Sequence, residues 1–184
     1  MSLKLETSRL ILRAWKNSDL KPFYALNSNP EVMRYFPTCL TRAQSDALAH
    51  KFQSLIETQA WGVWAVELKQ TGEFIGCTGL HAQPYQFTFS PCTEIVWRLK
   101  QKYWGNGFAT EAATACLNFA FDSLNLDQIV AFTAVQNIQS QAVMQRLGMQ
   151  FKDYFNHPAL DDSSPLQRHV LYQITAAQFS NRKE

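Results

Sequence analysis

Two hydrophobic periods alternate along the chain and divide it into strands and helices. Apolar residues at alternating positions, or in a short continuous run at 128–135, predict strands at 9–14, 61–68, 73–80, 93–100, 128–135, 149–155 and 168–174. Apolar residues that recur every three or four positions predict four helices, which begin near Asp19, Thr41, Gly107 and Asn137. The segment 128–135 is apolar on both faces, as expected of a central strand that helices cover on each side. The pattern contains no repeat and no linker, and it indicates one α/β (α+β) domain over residues 1–184 with a mixed sheet.

One stretch, Thr93 to Ala112, connects a strand to a helix through a turn with two glycines. The apolar residues Ile95, Trp97 and Leu99 alternate there with Glu94, Val96 and Arg98. Gly105 and Gly107 give the turn backbone conformations that other residues rarely adopt, and they let a ligand approach the main chain. The first turn of the following helix offers unpaired N–H groups and a partial positive charge, which suit a phosphate or pyrophosphate.

Other interpretations of this turn are a plain strand-to-helix connection, a P-loop and a dinucleotide-binding loop. The P-loop fails because no Gly-Lys-Ser/Thr sequence follows the glycines. The dinucleotide fingerprint fits poorly, since Thr110 stands in place of its third glycine and a polar segment separates the strand from the turn. Asp127 lies at roughly the distance expected of a ribose-binding acid, so a nicotinamide enzyme stays a weak alternative.

Three segments resemble the GNAT N-acetyltransferases. Lys102-Tyr103-Trp104-Gly105-Asn106-Gly107-Phe108-Ala109-Thr110-Glu111-Ala112 is similar to their acetyl-CoA pyrophosphate loop, which reads Gln/Arg-x-x-Gly-x-Gly/Ala. Lys102 stands where that pattern has glutamine or arginine. It keeps the positive charge of arginine but lacks the planar guanidinium fork. The opening segment 5–13 and the segment from Asn137 to Met149 resemble two further motifs of one branch, the Rim-type ribosomal-protein N-terminal acetyltransferases. The three motifs stand in the family's order and span nearly the whole chain.

The resemblance implies a GNAT-like fold and an enzyme that uses acetyl-CoA and releases CoA. Its sheet would be mixed and mostly antiparallel, with about six to seven strands and about four flanking helices. Backbone groups of Val96, Trp97 and Arg98 would pair with the pantetheine arm as an added strand does, which leaves the Arg98 side chain free to face solvent. Asn137 would contact the same arm or shape the pocket. The implied pyrophosphate-binding residues are Lys102, Tyr103, Trp104, Gly105, Asn106, Gly107, Phe108 and Ala109.

Glu94 and Ser140 are the catalytic candidates that the resemblance implies. Glu94 matches a general base of some family members, and burial would raise its pKa towards neutrality. The alternative is a solvated carboxylate or an ion pair with Arg98. Many members carry a tyrosine as general acid where Met144 stands, and methionine cannot donate a proton. Ser140 is the replacement in the Rim-type branch, and its alternative role is a helix-terminus serine that bonds the backbone.

The implied reaction is direct attack of a primary amine on the thioester, with a protein or peptide N-terminal α-amine as one acceptor. A small-molecule amine, or a non-catalytic CoA-binding module of the same fold, are the alternatives. Asp161 and Asp162 are candidates for attracting a cationic amine, although adjacent loop carboxylates are usually solvated. Aromatic candidates for lining the acceptor site are Trp15, Tyr35, Phe36, Trp61, Tyr85, Phe87 and Phe89.

Composition and charge indicate which classes of binding partner to expect. Seventeen basic and fifteen acidic residues give a net charge of +2, which is too small to indicate nucleic acid or a membrane surface. No apolar run approaches membrane-spanning length and the N-terminus lacks a signal peptide's apolar core, so a cytoplasmic location is predicted. The four cysteines and four histidines lack metal-ligand spacing, which predicts no metal and buried or half-buried thiols. A monomer and a homodimer are equally compatible with the sequence.

Overall fold

The computed structural model describes residues 4–182. Its strands are β1 (Leu5–Glu6), β2 (Leu10–Arg13), β3 (Val63–Leu68), β4 (Glu73–Ala82), β5 (Thr93–Leu99), β6 (Gln128–Ala134), β7 (Gln150–Asn156) and β8 (Arg168–Thr175). Its helices are α1 (Leu20–Asn27), α2 (Arg42–Gln59), α3 (Phe108–Asn118), α4 (Ile138–Arg146) and α5 (Ala176–Ser180). Two 3₁₀ turns (Asn17–Asp19 and Gln101–Tyr103) precede α1 and α3, and a π-helical turn (Phe119–Ser123) continues α3. Every strand and helix that the hydrophobic periods predict is present.

The eight strands of the described residues form one sheet in the order β1-β2-β3-β4-β5-β6-β8-β7. Neighbouring strands are antiparallel except β5 and β6, which are parallel. The mixed, mostly antiparallel sheet is therefore confirmed, and it differs from the parallel sheet of dinucleotide-binding enzymes. The sequence did not predict β1 and α5, because elements of two and five residues are too short to show a hydrophobic period.

Helices cover both faces of the sheet. Trp97 and Arg98 are neighbours on β5, so their side chains point to opposite faces. Arg98 donates to Asn27 at the end of α1. Trp64 lies on the Trp97 face, through the pairs Trp64–Thr78 and Thr78–Trp97, and it contacts Phe119 directly after α3. The helix pair α1 and α2 therefore lies on the Arg98 face, and α3 lies on the other.

A buried ion-pair network fixes the start of α1 against the sheet. Asp19 is 2% exposed and accepts from two nitrogens of Arg13 at 2.7 and 3.0 Å. Its carboxylate also accepts the backbone N–H of Lys16 at 2.8 Å. Arg13 donates through Nε to Glu67 of β3 at 2.6 Å. Each of these charges is thus compensated inside the network.

We expect Asp19→Ala to lower the free energy of unfolding by about 3 kcal/mol, because it leaves a largely buried guanidinium short of one carboxylate. In a chain of this length that loss corresponds to a fall in Tm of about 6–12 °C, which circular dichroism on heating measures. Glu31→Ala is the control, since Glu31 pairs with Arg34 on the surface and both side chains are well exposed. Equal changes of Tm in the two variants would contradict the assignment of the network as a stabilising feature.

Candidate functional site

β5 and β6 separate near the middle of the sheet. They share one residue pair, Glu94 with Val130. On their other edges, β4 pairs with β5 from Thr93 to Leu99 and β8 pairs with β6 along its whole length. Beyond Glu94, the edge of β5 that faces β6 has no strand partner within the described residues. The predicted pantetheine-binding residues, Val96, Trp97 and Arg98, lie along this open edge, where an extended ligand can pair its amides as a strand does.

The turn after β5 ends at the amino end of α3. Gly105 and Gly107 have φ angles of 75° and 79°, in the left-handed region that glycine adopts without strain. Gly107 is the N-cap of α3 and has no side chain to accept from the first-turn N–H groups, so these remain available to an anion. A Cβ atom on Gly105 would meet no atom within 4 Å, so the space beside the turn is open.

Glu73, at the start of β4, anchors the segment before Gly105. Its carboxylate accepts from the hydroxyl of Tyr103 at 2.6 Å and from the ammonium groups of Lys100 and Lys102 at 3.0 and 3.1 Å. The hydrogen bonds from Lys102 and Tyr103 are the main causes that lower the pKa of Glu73 to about 2. The ammonium of Lys102, which the sequence assigned to the pyrophosphate, is therefore paired with this carboxylate.

Glu111, in the first turn of α3, ties the helix to the N-terminal segment. Its carboxylate accepts from the hydroxyl of Thr7 at 2.5 Å and from the backbone N–H and Nε of Arg9 at 2.9 and 2.7 Å. The Arg9 guanidinium lies 4.4 Å from the ring centroid of Phe108. These contacts join the first and second sequence motifs in space. Neither Glu73 nor Glu111 was predicted as a site residue, and only the place of Glu111 within the loop motif pointed to it.

Glu94 lies where β5 and β6 begin to diverge. It is 7% exposed, and its carboxylate accepts from the side-chain amide of Gln83. Burial raises the pKa of Glu94 to about 8, and the Gln83 hydrogen bond opposes part of that shift. No described cation lies within ion-pair distance of this carboxylate. The alternative of a solvated group or an ion pair with Arg98 is therefore wrong.

Arg98 is half-buried and its guanidinium contacts α1 and Phe36, which corrects the expectation of a side chain free in solvent. A terminal nitrogen donates to Asn27 Oδ1 at 2.6 Å, and the guanidinium lies 4.1 Å from the ring centroid of Phe36. Its Nε is buried without a partner among the described residues. The expectation failed because alternation along a strand shows which residues share a face, but not that distant segments cover that face.

Comparison with known proteins identifies the family. Residues 9–150 match the sequence profile of the acetyltransferase (GNAT) domain. The chain belongs to the GNAT acetyltransferase family. The N-acetyltransferase YoaA of Bacillus subtilis, itself uncharacterized, is 28% identical over 168 residues, which cover 90% of this chain and 93% of YoaA.

Two solved structures share the fold. A GNAT-family acetyltransferase from Bacillus anthracis has a TM-score of 0.80 at 23% identity, covering 95% of this chain and 99% of that one. The spermidine N-acetyltransferase of Vibrio cholerae, solved with CoA and spermine, has a TM-score of 0.75 at 24% identity, covering 95% and 100%. Membership of the GNAT family makes this chain an N-acetyltransferase, with acetyl-CoA as the acetyl donor.

Asn137, just after β6, begins α4 of this GNAT enzyme. Its Oδ1 accepts the backbone N–H of Ser140 at 3.1 Å, which confirms the predicted N-cap, and its Nδ2 donates to Thr133 at 2.9 Å. The Ser140 hydroxyl has no hydrogen-bond partner among the described residues, so the alternative that it bonds the backbone is not observed. Met144 is 1% exposed and belongs to the core.

The aromatic acceptor candidates have different surroundings in the GNAT fold. Trp15 packs in the core against Phe23 and donates to the Val63 carbonyl. Phe36 lies beside the Arg98 guanidinium. Tyr35 and Trp61 are half-buried. The remaining three candidates join four further rings in what we call the aromatic cluster: Tyr85, Phe87, Phe89, Phe132, Phe155, His157 and His169.

The aromatic cluster shares a sheet face with Glu94. Glu94 pairs with Val130, and Phe132 follows two residues later on β6, so all three side chains lie on one face. Burial, with a smaller effect from His169, lowers the pKa of His157 to about 4, so this part of the cluster is uncharged at neutral pH. The carboxylates of Asp161 and Asp162 accept hydrogen bonds from Ser163 and Gln167 near their own loop.

Other predicted features concern metals, thiols and membranes. No group of three or more possible metal ligands occurs in residues 4–182. Cys77 and Cys116 are buried and Cys92 is half-buried, but Cys39 is exposed, contrary to expectation. No helix in the described part of the chain is long and apolar enough to cross a bilayer.

Proposed function

We propose that this GNAT enzyme acetylates the α-amine of a peptide or protein N-terminus, with Glu94 as the general base. The observation that carries the proposal is the placement of one buried carboxyl, with a pKa raised to about 8, where β5 and β6 diverge. A general base works best when its pKa lies near the working pH. The resemblance to the Rim-type branch supports the same acceptor class.

The residues present fit acetyl-CoA, which supplies the thioester carbonyl. The first-turn N–H groups of α3 and the backbone of the Lys102–Ala109 segment would hold the pyrophosphate, with Gly105 leaving the approach open. Val96, Trp97 and Arg98 offer the free β5 edge to the pantetheine amides. Asn137, at the end of the neighbouring strand, would contact the same arm.

Glu94 takes a proton from the acceptor ammonium, directly or through one water, and the neutral amine attacks the thioester. The carbon–nitrogen bond would form as the carbon–sulfur bond breaks, the thiolate would leave with the electron pair, and the second proton that nitrogen loses on becoming an amide would protonate that thiolate. The Ser140 hydroxyl is the donor we propose for that thiolate, because it has no other partner among the described residues and Met144 cannot serve.

Proton affinity favours an α-amine over an alkylamine. An α-ammonium has a pKa of roughly 8, so transfer to a carboxylate with a pKa of about 8 is nearly balanced. A lysine-like ammonium has a pKa of about 10.4, which makes the same transfer roughly 3 kcal/mol uphill.

Release of free thiol from acetyl-CoA tests the proposal with two matched peptides. One peptide has a free N-terminus and no lysine, and the other has a blocked N-terminus and one lysine. At neutral pH we expect kcat/KM to be at least about 10-fold higher for the free N-terminus. Acetylation of the lysine alone would reject the α-amine. Binding of acetyl-CoA without thiol release, across peptides and small amines, would favour the non-catalytic module instead.

A further inference from the structure

Arg98 is half-buried, and the transfer chemistry does not use its positive charge. One of its five N–H donors is bonded, to Asn27 Oδ1. The Nε is buried with no partner among the described residues, and Phe36 lies against the guanidinium plane. Burial lowers the pKa of Arg98, and no carboxylate offsets that effect.

Comparison with Arg13 shows how unusual this arrangement is within the same sheet. Arg13 is largely buried, but it pairs with two carboxylates, Asp19 and Glu67. Arg98 has no carboxylate within ion-pair distance in residues 4–182 and relies on one neutral amide. A half-buried guanidinium with an unpaired, buried Nε and no counter-ion is poorly compensated, so its position favours an anionic ligand that supplies the missing charge.

The placement of Arg98 relates that charge to the proposed acceptor site. Glu94 and Arg98 stand four residues apart on β5, so their side chains share the face covered by α1. Their Cα atoms are separated by about 13 Å along the strand. An acceptor whose amine lies at Glu94 therefore reaches Arg98 only with a group several bonds away from that amine.

We propose that Arg98 binds a carboxylate of the acceptor, so that the preferred substrates carry an amine at one end and a carboxylate a few bonds away. This inference rests on the proposed function and specifies its substrate class. The carboxylate is either the free C-terminus of a short peptide or an acidic side chain near the N-terminus of a longer one. Arginine suits this role because its planar fork matches a carboxylate.

A purely structural role for Arg98 makes a different prediction. Asn27 is the last residue of α1, and a cation at the carboxyl end of a helix stabilises its dipole. In that case Arg98 would affect the stability of the enzyme and leave acceptor choice unchanged.

The test compares acceptors that differ only in the carboxylate. The pairs are an apolar tripeptide with a free or amidated C-terminus, an amidated tripeptide with aspartate or asparagine at position two, and 5-aminopentanoate against pentylamine. For each pair we measure the ratio of kcat/KM for the acid to that for its neutral partner. In the wild type we expect at least one ratio of about 10 or more, since hydrogen bonds between charged groups discriminate by that amount. The pair with the large ratio identifies the source of the carboxylate.

Substitutions of Arg98 then show whether this residue causes the preference for the acidic acceptor. The ratio is expected to fall close to one in Arg98→Gln and to be partly retained in Arg98→Lys. Arg168→Gln is the matched control, because Arg168 stacks on Tyr154 of the edge strand β7, and its ratio should equal that of the wild type. Wild-type ratios near one for every pair, or the same ratio in Arg98→Gln and wild type, would overturn the inference. If only 5-aminopentanoate is preferred and peptides are not acetylated, the proposed α-amine acceptor fails while the anion site stands.

Discussion

Gly105→Glu is expected to abolish acetyl-CoA binding, with an increase in Kd of at least about 100-fold. The added side chain enters the open space beside the turn, where the pyrophosphate is proposed to bind, and its negative charge opposes that of the phosphates. The positive φ of 75° adds backbone strain of about 1–2 kcal/mol. Isothermal titration of the purified protein with acetyl-CoA and with CoA measures the change.

The hairpin between β3 and β4 provides a matched control for this substitution. Gly72 has a φ of 68°, and a Cβ atom there would also meet nothing within 4 Å. Gly72→Glu therefore introduces similar strain and the same charge in the β3–β4 hairpin instead of in the turn that begins α3. Gly105→Ala separates strain from charge and should retain most of the affinity. Unchanged affinity in Gly105→Glu, or equal losses in both glutamate variants, would exclude the turn as the pyrophosphate site.

Glu94→Gln is expected to lower kcat by about 100-fold while acetyl-CoA still binds. General base catalysis typically contributes a factor of 10² to 10⁴, and an α-amine needs only a weak base, so the lower value applies. Glutamine keeps the size of the side chain and an oxygen that can accept from Gln83. A stopped assay of thiol release gives kcat, and calorimetry gives the Kd for acetyl-CoA. Wild-type kcat in the variant would remove Glu94 from the mechanism.

Glu94→Gln should also change how the stability of the protein depends on pH, and this effect can be measured without any assay of turnover. The pKa of Glu94 is raised to about 8 in the folded protein, from an ordinary value near 4.5. Below pH 4.5 both the folded and unfolded chains hold the proton, and the burial carries no penalty. As the pH rises towards 8, the unfolded chain releases the proton while the folded chain keeps it, so the wild type loses stability. Glu94→Gln should thus match the wild-type Tm at pH 4 and exceed it at pH 8.

Gln83→Leu tests the assignment of Glu94 by changing its pKa while the carboxyl group stays in place. The Gln83 hydrogen bond lowers the pKa of Glu94, so its removal should raise that pKa further. The pH dependence of kcat should then move to higher pH. A shift to lower pH would contradict the assignment of Glu94 as the titrating base.

The sequence predicted local features well because they depend on neighbouring residues. The Gly105–Gly107 turn, the Asn137 cap and the alternation of β5 all arise from residues within one or two turns of each other. The anchors of the site depend instead on long-range side-chain contacts. Thr7 reaches Glu111 across 104 residues, and Arg98 reaches Asn27 across 71. No local period or composition carries that information.

The charge state of Glu94 also depends on long-range contacts that the local sequence does not show. Its position on β5 and its resemblance to a family base are readable from the sequence, but its burial is not. Burial follows from the sheet partners and from the loop that brings Gln83 against the carboxylate. The predicted solvent-facing Arg98 failed for the same reason, since α1 and the segment with Phe36 cover its face.

The single residue pair between β5 and β6 also bears on how long the enzyme lasts in a cell. Backbone pairing within β1 to β5 and within β6 to β8 is extensive, but one pair joins the two parts across the sheet. Acetyl-CoA, which we propose binds along that seam, would stabilise the native chain by mass action, to an extent set by its concentration relative to Kd. A fall in cellular acetyl-CoA then leaves more molecules transiently open to proteases. The concentration of acetyl-CoA would in this way influence the abundance of the enzyme as well as its rate.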